Sequence, residues 1–475
     1  MTAITVTVSS YGYASGMSDL RDYVVGLNTQ VPVYGGRRPY INLDNAASTP
    51  PFKNVLEAVN DFAPWYSSVH RGNGLKSRLS TELYEEARQV VAQFVGASPK
   101  EHVVIFGKNT TEAINKLSYR LPLKKTDIVL ISHLEHHSND LPWRAQATVK
   151  RIALTPEGGI DQADFTALLN QYAGRVKLVA ISGTSNVTGH IPDIHWFACK
   201  AHEASAQIFV DSAQLAAHRP IRIGRLDDPA HLDYIAISGH KMYAPFGTGA
   251  LIGRCDTFTR REPEYRGGGT ISLVTPTIVD WAAPPDGDEA GSPNVVGAVA
   301  LARAIKTLER IGLSTVARHE AALTRYALTK LKEVPGLVVY GETKPSYTSN
   351  RSGVIPFTVG DVPSHLVAAI LGFEWGIGVR SGCFCAQPYV MSLLGHDRQA
   401  QHRIRYNLLH KRRDLLPGMV RISFGLNNTR KEIDVLMQAL AAISEGKYGE
   451  YTVDRVTGFY SPTGVTEDFS GYFKI

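Results

Sequence analysis

The chain has 475 residues, 44% of them hydrophobic, and 50 Lys plus Arg against 44 Asp plus Glu, a net charge of +6. At about 100–200 residues per domain this predicts two or three domains around a large core, and charges of both signs lend little support to a nucleic-acid or membrane partner. No stretch approaches the roughly 18 unbroken apolar residues of a membrane helix, no secretory signal opens the chain, and four cysteines are too few for a disulfide framework, so a cytoplasmic location is the default expectation.

Residues 1–40 read as an arm with one short helix around Ser18–Leu27. From Val103 to about Ile252, apolar β-type runs alternate with helical patterns. The runs Val103–Phe106, Ile128–Ser132, Leu178–Ser182, Ile208–Val210 and Tyr234–Ile237 predict buried strands, and Thr111–Tyr119 and Ile194–Ala204 predict helices between them. That alternation belongs to the α/β class, with a mainly parallel sheet covered on both faces. A large domain over 41–305 is expected, then a smaller α+β domain over 306–445 with strands near Gly353–Thr358 and Val420–Phe424. Thr429-x-x-Glu432 has the form of a capping box opening the last helix. Residues 446–475, rich in Tyr and Gly, show no period and read as a tail without an assigned role.

Ligands in parallel α/β folds bind beyond the carboxyl ends of the strands, so the residues there carry the functional reading. Gly107-Lys108-Asn109-Thr110-Thr111 sits between a strand and a helix, where free N–H groups and two hydroxyls suit a phosphate; taken alone, Thr111 as a helix cap explains it better. Glu135-His136-His137-Ser138-Asn139, with His133 nearby, does not match a zinc spacing; an imidazole there could lie flat over a planar ligand. Ser185-Asn186, with Gly189 close behind, reads as a turn that could set an amide beside a ring. Asp211, ending a buried strand, needs a cationic partner, which a protonated ring nitrogen or an ordinary salt bridge would supply. Lys241 in Ser238-Gly239-His240-Lys241 is placed to form a Schiff base, since partial burial exposes its amine lone pair. Each signal is weak singly; in this order, all at strand ends, they are strong.

With Leu43-Asp44-Asn45-Ala46-Ala47-Ser48, Val69-His70-Arg71-Gly72, Gly267-Gly268-Gly269, Glu289-Ala290-Gly291-Ser292-Pro293-Asn294, Arg380-Ser381-Gly382-Cys383-Phe384-Cys385 and Arg421-Ile422-Ser423-Phe424, these segments resemble the class V aminotransferase group, and within it the cysteine desulfurase and selenocysteine lyase family. The resemblance spans about residues 40 to 445 and implies the fold type I of pyridoxal 5'-phosphate (PLP) enzymes. By that resemblance Lys241 holds the cofactor as a Schiff base, Asp211 keeps its ring nitrogen protonated, and His136 stacks on the ring. Gln214 and Asn186 lie near its phenolic oxygen and the substrate, and Thr110, Thr111, Ser238 and His240 bind the phosphate. Ser292 reaches the phosphate of a neighbouring subunit, which implies a homodimer. Arg421 receives the carboxylate of an amino-acid substrate, with Arg380 the next candidate. Sulfur from L-cysteine passes to a protein thiol, leaving alanine and a persulfide for an acceptor.

Two features depart from the common pattern. Gly382-Cys383-Phe384-Cys385 carries two thiols, a stretch similar to the desulfurase portion of molybdenum-cofactor sulfurases. On an extended backbone both would point to one side, so geometry does not separate them; the family match of Ala386-Gln387-Pro388 selects Cys385. The second departure is the basic segment 391–417, expected to be an exposed helix, with a docking surface for an acidic sulfur-acceptor protein as the sharper alternative. Rival functions are another class V reaction without a protein thiol (aminotransferase, epimerase or C–S lyase) and a silent PLP-binding scaffold.

Overall fold

A computed structural model describes residues 20–348, 350–465 and 468–472. Its central feature is a seven-stranded sheet in the order His102–Gly107, Gly249–Arg254, Tyr234–Ser238, Gln207–Asp211, Val176–Ser182, Ile128–Ser132, Thr148–Ile152. Gly249–Arg254 runs antiparallel to both neighbours and the remaining pairs are parallel. Alternation along each strand divides the side chains between two cores. Ile128, Leu130, Ile208, Val210, Ile235 and Ile237 meet the helices Leu75–Val95 and Val295–Ile311 through Tyr84, Val91, Leu301 and Ile305. Val129, Ile131, Phe209, Tyr234 and Ala236 face the opposite layer, where helix Thr110–Arg120 contributes Ile114 and Leu117. Burying a side chain of this size stabilises by about 1.5–3 kcal/mol, so the sheet is a rigid frame whose strand ends hold fixed positions.

A second, antiparallel sheet orders Leu337–Val339, Val354–Val359, Met419–Ser423 and Arg380–Gly382. Its core gathers Leu328, Phe357, Leu371, Ile422 and Leu436, and also Leu43 from far upstream. Ile41–Asn42 pairs in parallel with Ile377–Gly378, and the Ser423 amide donates to the Leu43 carbonyl at 2.7 Å. This stitching carries Asp44 to the strand that bears Arg421. The capping box is present: Thr429 accepts from the Glu432 amide while Glu432 accepts from the Thr429 amide.

The five predicted strands of the large sheet and both predicted helices form, within one or two residues of their expected ends. Two strands of that sheet escaped the sequence reading. Thr148–Ile152 is an edge strand with Lys150 and Arg151 on it, the charge that blunts edges, and Gly249–Arg254 is diluted by glycine. In the arm, Leu20–Tyr23 forms one 3-10 turn, Ser18 lies outside the described residues, and the pair Gln30–Val33 and Gly36–Pro39 follows as a hairpin. Residues 446–475 are not featureless: Tyr451–Val453 pairs with Tyr460–Pro462, strands too short to show a period. Tyr451 Oη and the Gly449 amide donate to Glu374 at 3.0 and 2.9 Å, which docks that hairpin on helix Ser364–Trp375. Among the described residues no helix is long and apolar enough to cross a membrane.

Candidate active site

The carboxyl ends of the central strands open into a cavity of about 290 Å³. One end is the turn after strand His102–Gly107. Asn109, not Thr111, caps the helix, its Oδ1 accepting from the Glu112 amide at 3.1 Å. Both threonine hydroxyls are thereby released from capping. Thr111 Oγ1 lies 2.7 Å from Ser138 Oγ, and the buried Thr110 Oγ1 has no hydrogen-bond partner at all. A buried hydroxyl left alone costs about 1–3 kcal/mol, so an orphaned hydroxyl on a cavity-lining residue at a helix N-terminus marks a place for an anion. Ser238 and His240 line the same end. Gly249 lets the turn close, because a Cβ there would stand 2.8 Å from the Asn109 Cα.

Asp211 and Lys241 form the floor. Asp211 is buried and accepts from the Ala213 amide at 3.0 Å. Burial raises its pKa, with that amide and Lys241 opposing. Burial also pulls the Lys241 amine down to about 8, Asp211 opposing. His136 is pushed down to about 3, by burial first and then by Lys241, so its imidazole is neutral. Its Nδ1 accepts from the Ser138 amide at 3.1 Å, which leaves the proton on Nε2. Gln214 Nε2 donates to the Ala46 carbonyl at 2.6 Å and lines the cavity beside them.

The mouth is built by the thiol loop. Phe384 and Cys385 both adopt left-handed backbone (φ 51° and 55°), and the Ala386 amide returns to the Cys383 carbonyl at 2.8 Å. The chain is therefore turned rather than extended, and the two thiols part. Cys385 is exposed and lines the cavity. Cys383 packs against the large core with Sγ 3.5 Å from the Pro417 carbonyl, and burial pushes its thiol up to about 11. The strained turn is held from three sides: Asn186 Nδ2 donates to the Phe384 carbonyl at 2.7 Å, the His137 amide to the Cys385 carbonyl at 2.7 Å, and the Gln387 amide to His137 Nε2 at 3.2 Å. Arg421 is buried beneath, its NH1 donating to the Asn186 carbonyl and its NH2 to Asp44, both at 2.9 Å, while its Nε has no partner. Asp44 also holds Arg380 at 3.0 Å.

Every residue to which the resemblance assigns a role lines this one cavity except Ser292, which is exposed outside it, while Cys383 packs away from it. Three residues in the quoted segments were given no role and have one in the geometry: Asp44, His137 and Glu135. Glu135 is fully enclosed and accepts from Ser132 Oγ, Asn139 Nδ2, and the amide and hydroxyl of Ser182 at 2.5–3.0 Å. It therefore ties the segment bearing His136 to two strand ends, and is unavailable as a zinc ligand beside His133, His136 and His137.

Known proteins are similar to this chain in sequence and in fold. The family model described as aminotransferase class-V matches residues 41–436. A probable cysteine desulfurase of Halalkalibacterium halodurans is 36% identical over 86% of this chain and 94% of its own length. The cysteine desulfurase of Dickeya dadantii is 35% identical over 86% and 92%. Among solved structures, the apo cysteine desulfurase from Thermococcus onnurineus NA1 superposes with a TM-score of 0.74 at 32% identity, covering 86% of this chain and 95% of its own. The cysteine desulfurase CsdA of Escherichia coli, in its S-sulfonic acid form, gives 0.71 at 28% identity with the same coverage. The chain belongs to the class-V aminotransferase family.

Proposed function

We propose that this protein is a PLP-dependent cysteine desulfurase using Cys385 as its sulfur-accepting thiol. The observation that carries the proposal is the opposite placement of the two loop thiols, one in the cavity with Lys241 and Arg421, the other packed away. The residues fit PLP. The orphaned Thr110 hydroxyl, Thr111, Ser238 and His240 would hold its phosphate at the helix N-terminus. Asp211, whose burial calls for a positive partner, would pair with the ring nitrogen, neutral His136 would cover the ring, and Gln214 would flank it. Lys241 would hold the aldehyde carbon. When bound, PLP supplies the electron sink that makes a carbanion at the amino-acid Cα accessible.

The chain's own residues supply orientation and proton movement. Arg421, with Asn186 fixing one edge and Asp44 the other, offers its free Nε to the substrate carboxylate. Lys241, with its amine near pH 8, is suited to take and return a proton at Cα. The Cys385 thiolate then attacks the substrate sulfur. A sulfur–sulfur bond forms, the substrate Cβ–S bond breaks with its electron pair going to Cβ, and protonation there yields the methyl group of alanine. The persulfide left on Cys385 sits on an exposed loop, open to an acceptor.

The wider reading is a cytoplasmic homodimer in which exposed Ser292 serves the phosphate of the neighbouring subunit, and a division at 41–305 and 306–445, which the separate core of the second sheet supports although Leu43 joins that core and Phe384, Tyr389 and Met419 join the large one. The helix Arg398–Leu409 in the basic segment supports docking of an acidic sulfur-acceptor protein. Incubating purified protein with L-cysteine and measuring alanine tests the activity: stoichiometric alanine with transferable sulfur is expected, and pyruvate in its place would mean a different C–S lyase reaction.

A further inference from the structure

Phe384 and Cys385 hold left-handed backbone without being glycine, a conformation that persists only where the surroundings over-determine it. The peptide before the Cys385 Cα is fixed by Asn186, which donates to the Phe384 carbonyl. Both peptides after it are fixed by one residue, His137. Its backbone amide donates to the Cys385 carbonyl at 2.7 Å, and its Nε2 accepts from the Gln387 amide at 3.2 Å. The first bond needs only main chain; the second belongs to the imidazole.

His137 is itself a fixed point. Glu135 fastens its segment to Ser132 and Ser182 at two strand ends. Ser138 Oγ lies 2.7 Å from Thr111 Oγ1 and its amide donates to His136 Nδ1. His136 and Ser138 line the cavity, whereas the half-buried ring of His137 between them meets the thiol loop from outside. A ring nitrogen accepts a hydrogen bond only when it carries no proton, so the His137 imidazole is neutral, with its proton on Nδ1. Burial favours that form by holding its pKa below the usual histidine value, with Asp140 opposing and Arg144 reinforcing.

We propose that His137 is the positioning residue for Cys385. Resting on the reading of Cys385 as the sulfur-accepting thiol, His137 acts through the Gln387 amide to keep that thiol in the cavity for attack on the substrate sulfur. Cofactor and substrate binding are left to other residues.

The test compares the wild-type holoenzyme with three variants. His137→Phe keeps the ring volume and the main-chain bond but has no acceptor, His137→Ala removes both ring and acceptor, and His137→Gln keeps an acceptor without the ring. The single-turnover rate of alanine formation from L-cysteine should fall on the order of 10–100-fold in the Phe and Ala variants, the scale of a misplaced reacting group, and recover largely in His137→Gln. Affinity for L-cysteine, read from the visible difference spectrum, and PLP content should stay at the wild-type level in all three. Alkylation of Cys385 by a bulky maleimide, followed on the loop peptide by mass spectrometry, should be faster in the Phe and Ala variants than in wild type and His137→Gln. A wild-type turnover rate in His137→Phe, a loss no smaller in His137→Gln, or a loss matched by loss of PLP and cysteine binding would overturn the proposal. If the wild type itself forms no alanine, the desulfurase reading fails, and the maleimide rates, which need no substrate, still decide: equal rates in all four proteins would overturn the positioning role.

Discussion

Asp44 Oδ1 lies 2.9 Å from the buried Arg421 guanidinium, and the other oxygen of the same carboxylate lies 3.0 Å from exposed Arg380. One carboxylate thus braces two arginines at the cavity mouth and leaves only Arg421 Nε unsatisfied among its nitrogens. Arg421→Ala removes the substrate's carboxylate partner and strands Asp44, so kcat/KM for cysteine should fall by the equivalent of about 2–5 kcal/mol. Arg421→Lys should recover part of it, since a point charge lacks the planar fork. Asp44→Asn should act mainly on KM, by freeing both guanidinium groups from a fixed orientation. Steady-state kinetics on free cysteine separate these outcomes, and a wild-type KM and kcat in Arg421→Ala would place the carboxylate elsewhere.

Lys241 governs cofactor capture. Its folded-state pKa is depressed from 10.5 to about 8, so the neutral, nucleophilic amine gains population as pH rises through 8. Once the cofactor is stripped, the rate of PLP recapture, followed by visible absorbance, should climb from pH 6.5 and level above about pH 8.5. A rate still rising steeply at pH 10 would mean that the amine is not depressed. Lys241→Ala should keep its circular dichroism yet lose PLP on dialysis.

The enclosed Glu135 predicts a stability effect rather than a kinetic one. Burial raises its pKa from 4.5 to about 7, its four hydrogen-bond donors opposing. A raised folded-state pKa means a contribution present below the unfolded value of 4.5 and lost as pH rises through 7. Glu135→Ala, which leaves Ser132, Asn139 and Ser182 without their acceptor, should cost about 1–3 kcal/mol per abandoned group at most. The loss should be larger at pH 5 than at pH 8, as measured by denaturant unfolding. An equal loss at both values would contradict the burial argument.

Much of this site was legible in the amino-acid sequence. Strands such as Ile128–Ser132 and Tyr234–Ser238 are nearly unbroken apolar runs, and the residues after them had to stand at the sheet's edge. What was hidden depended on contacts across hundreds of residues. Nothing local to Asp44 says that pairing of 41–42 with 377–378 will bring it to Arg421. Nothing local to Asn109 says that it, rather than Thr111, caps the helix. The separation of Cys383 from Cys385 rests on two left-handed non-glycine residues, a conformation held by Asn186 and His137 from other strand ends and so invisible to propensity.

That separation predicts an asymmetry between the thiols. Cys383 is a small packed group whose thiol burial pushes up to about 11, so Cys383→Ala should retain turnover within about threefold while losing about 1 kcal/mol of stability. Cys385→Ser should lose sulfur transfer while still binding PLP and cysteine. Difference spectra on cysteine addition report the binding independently of turnover.

The most direct measurement is mass spectrometry of the loop peptide after brief exposure of the holoenzyme to L-cysteine, in the wild type and in each single cysteine variant. The account predicts one added sulfur on Cys385 in the wild type and in Cys383→Ala, accompanied by alanine, and none in Cys385→Ser. Added sulfur on Cys383 with undiminished alanine formation in Cys385→Ser would contradict it.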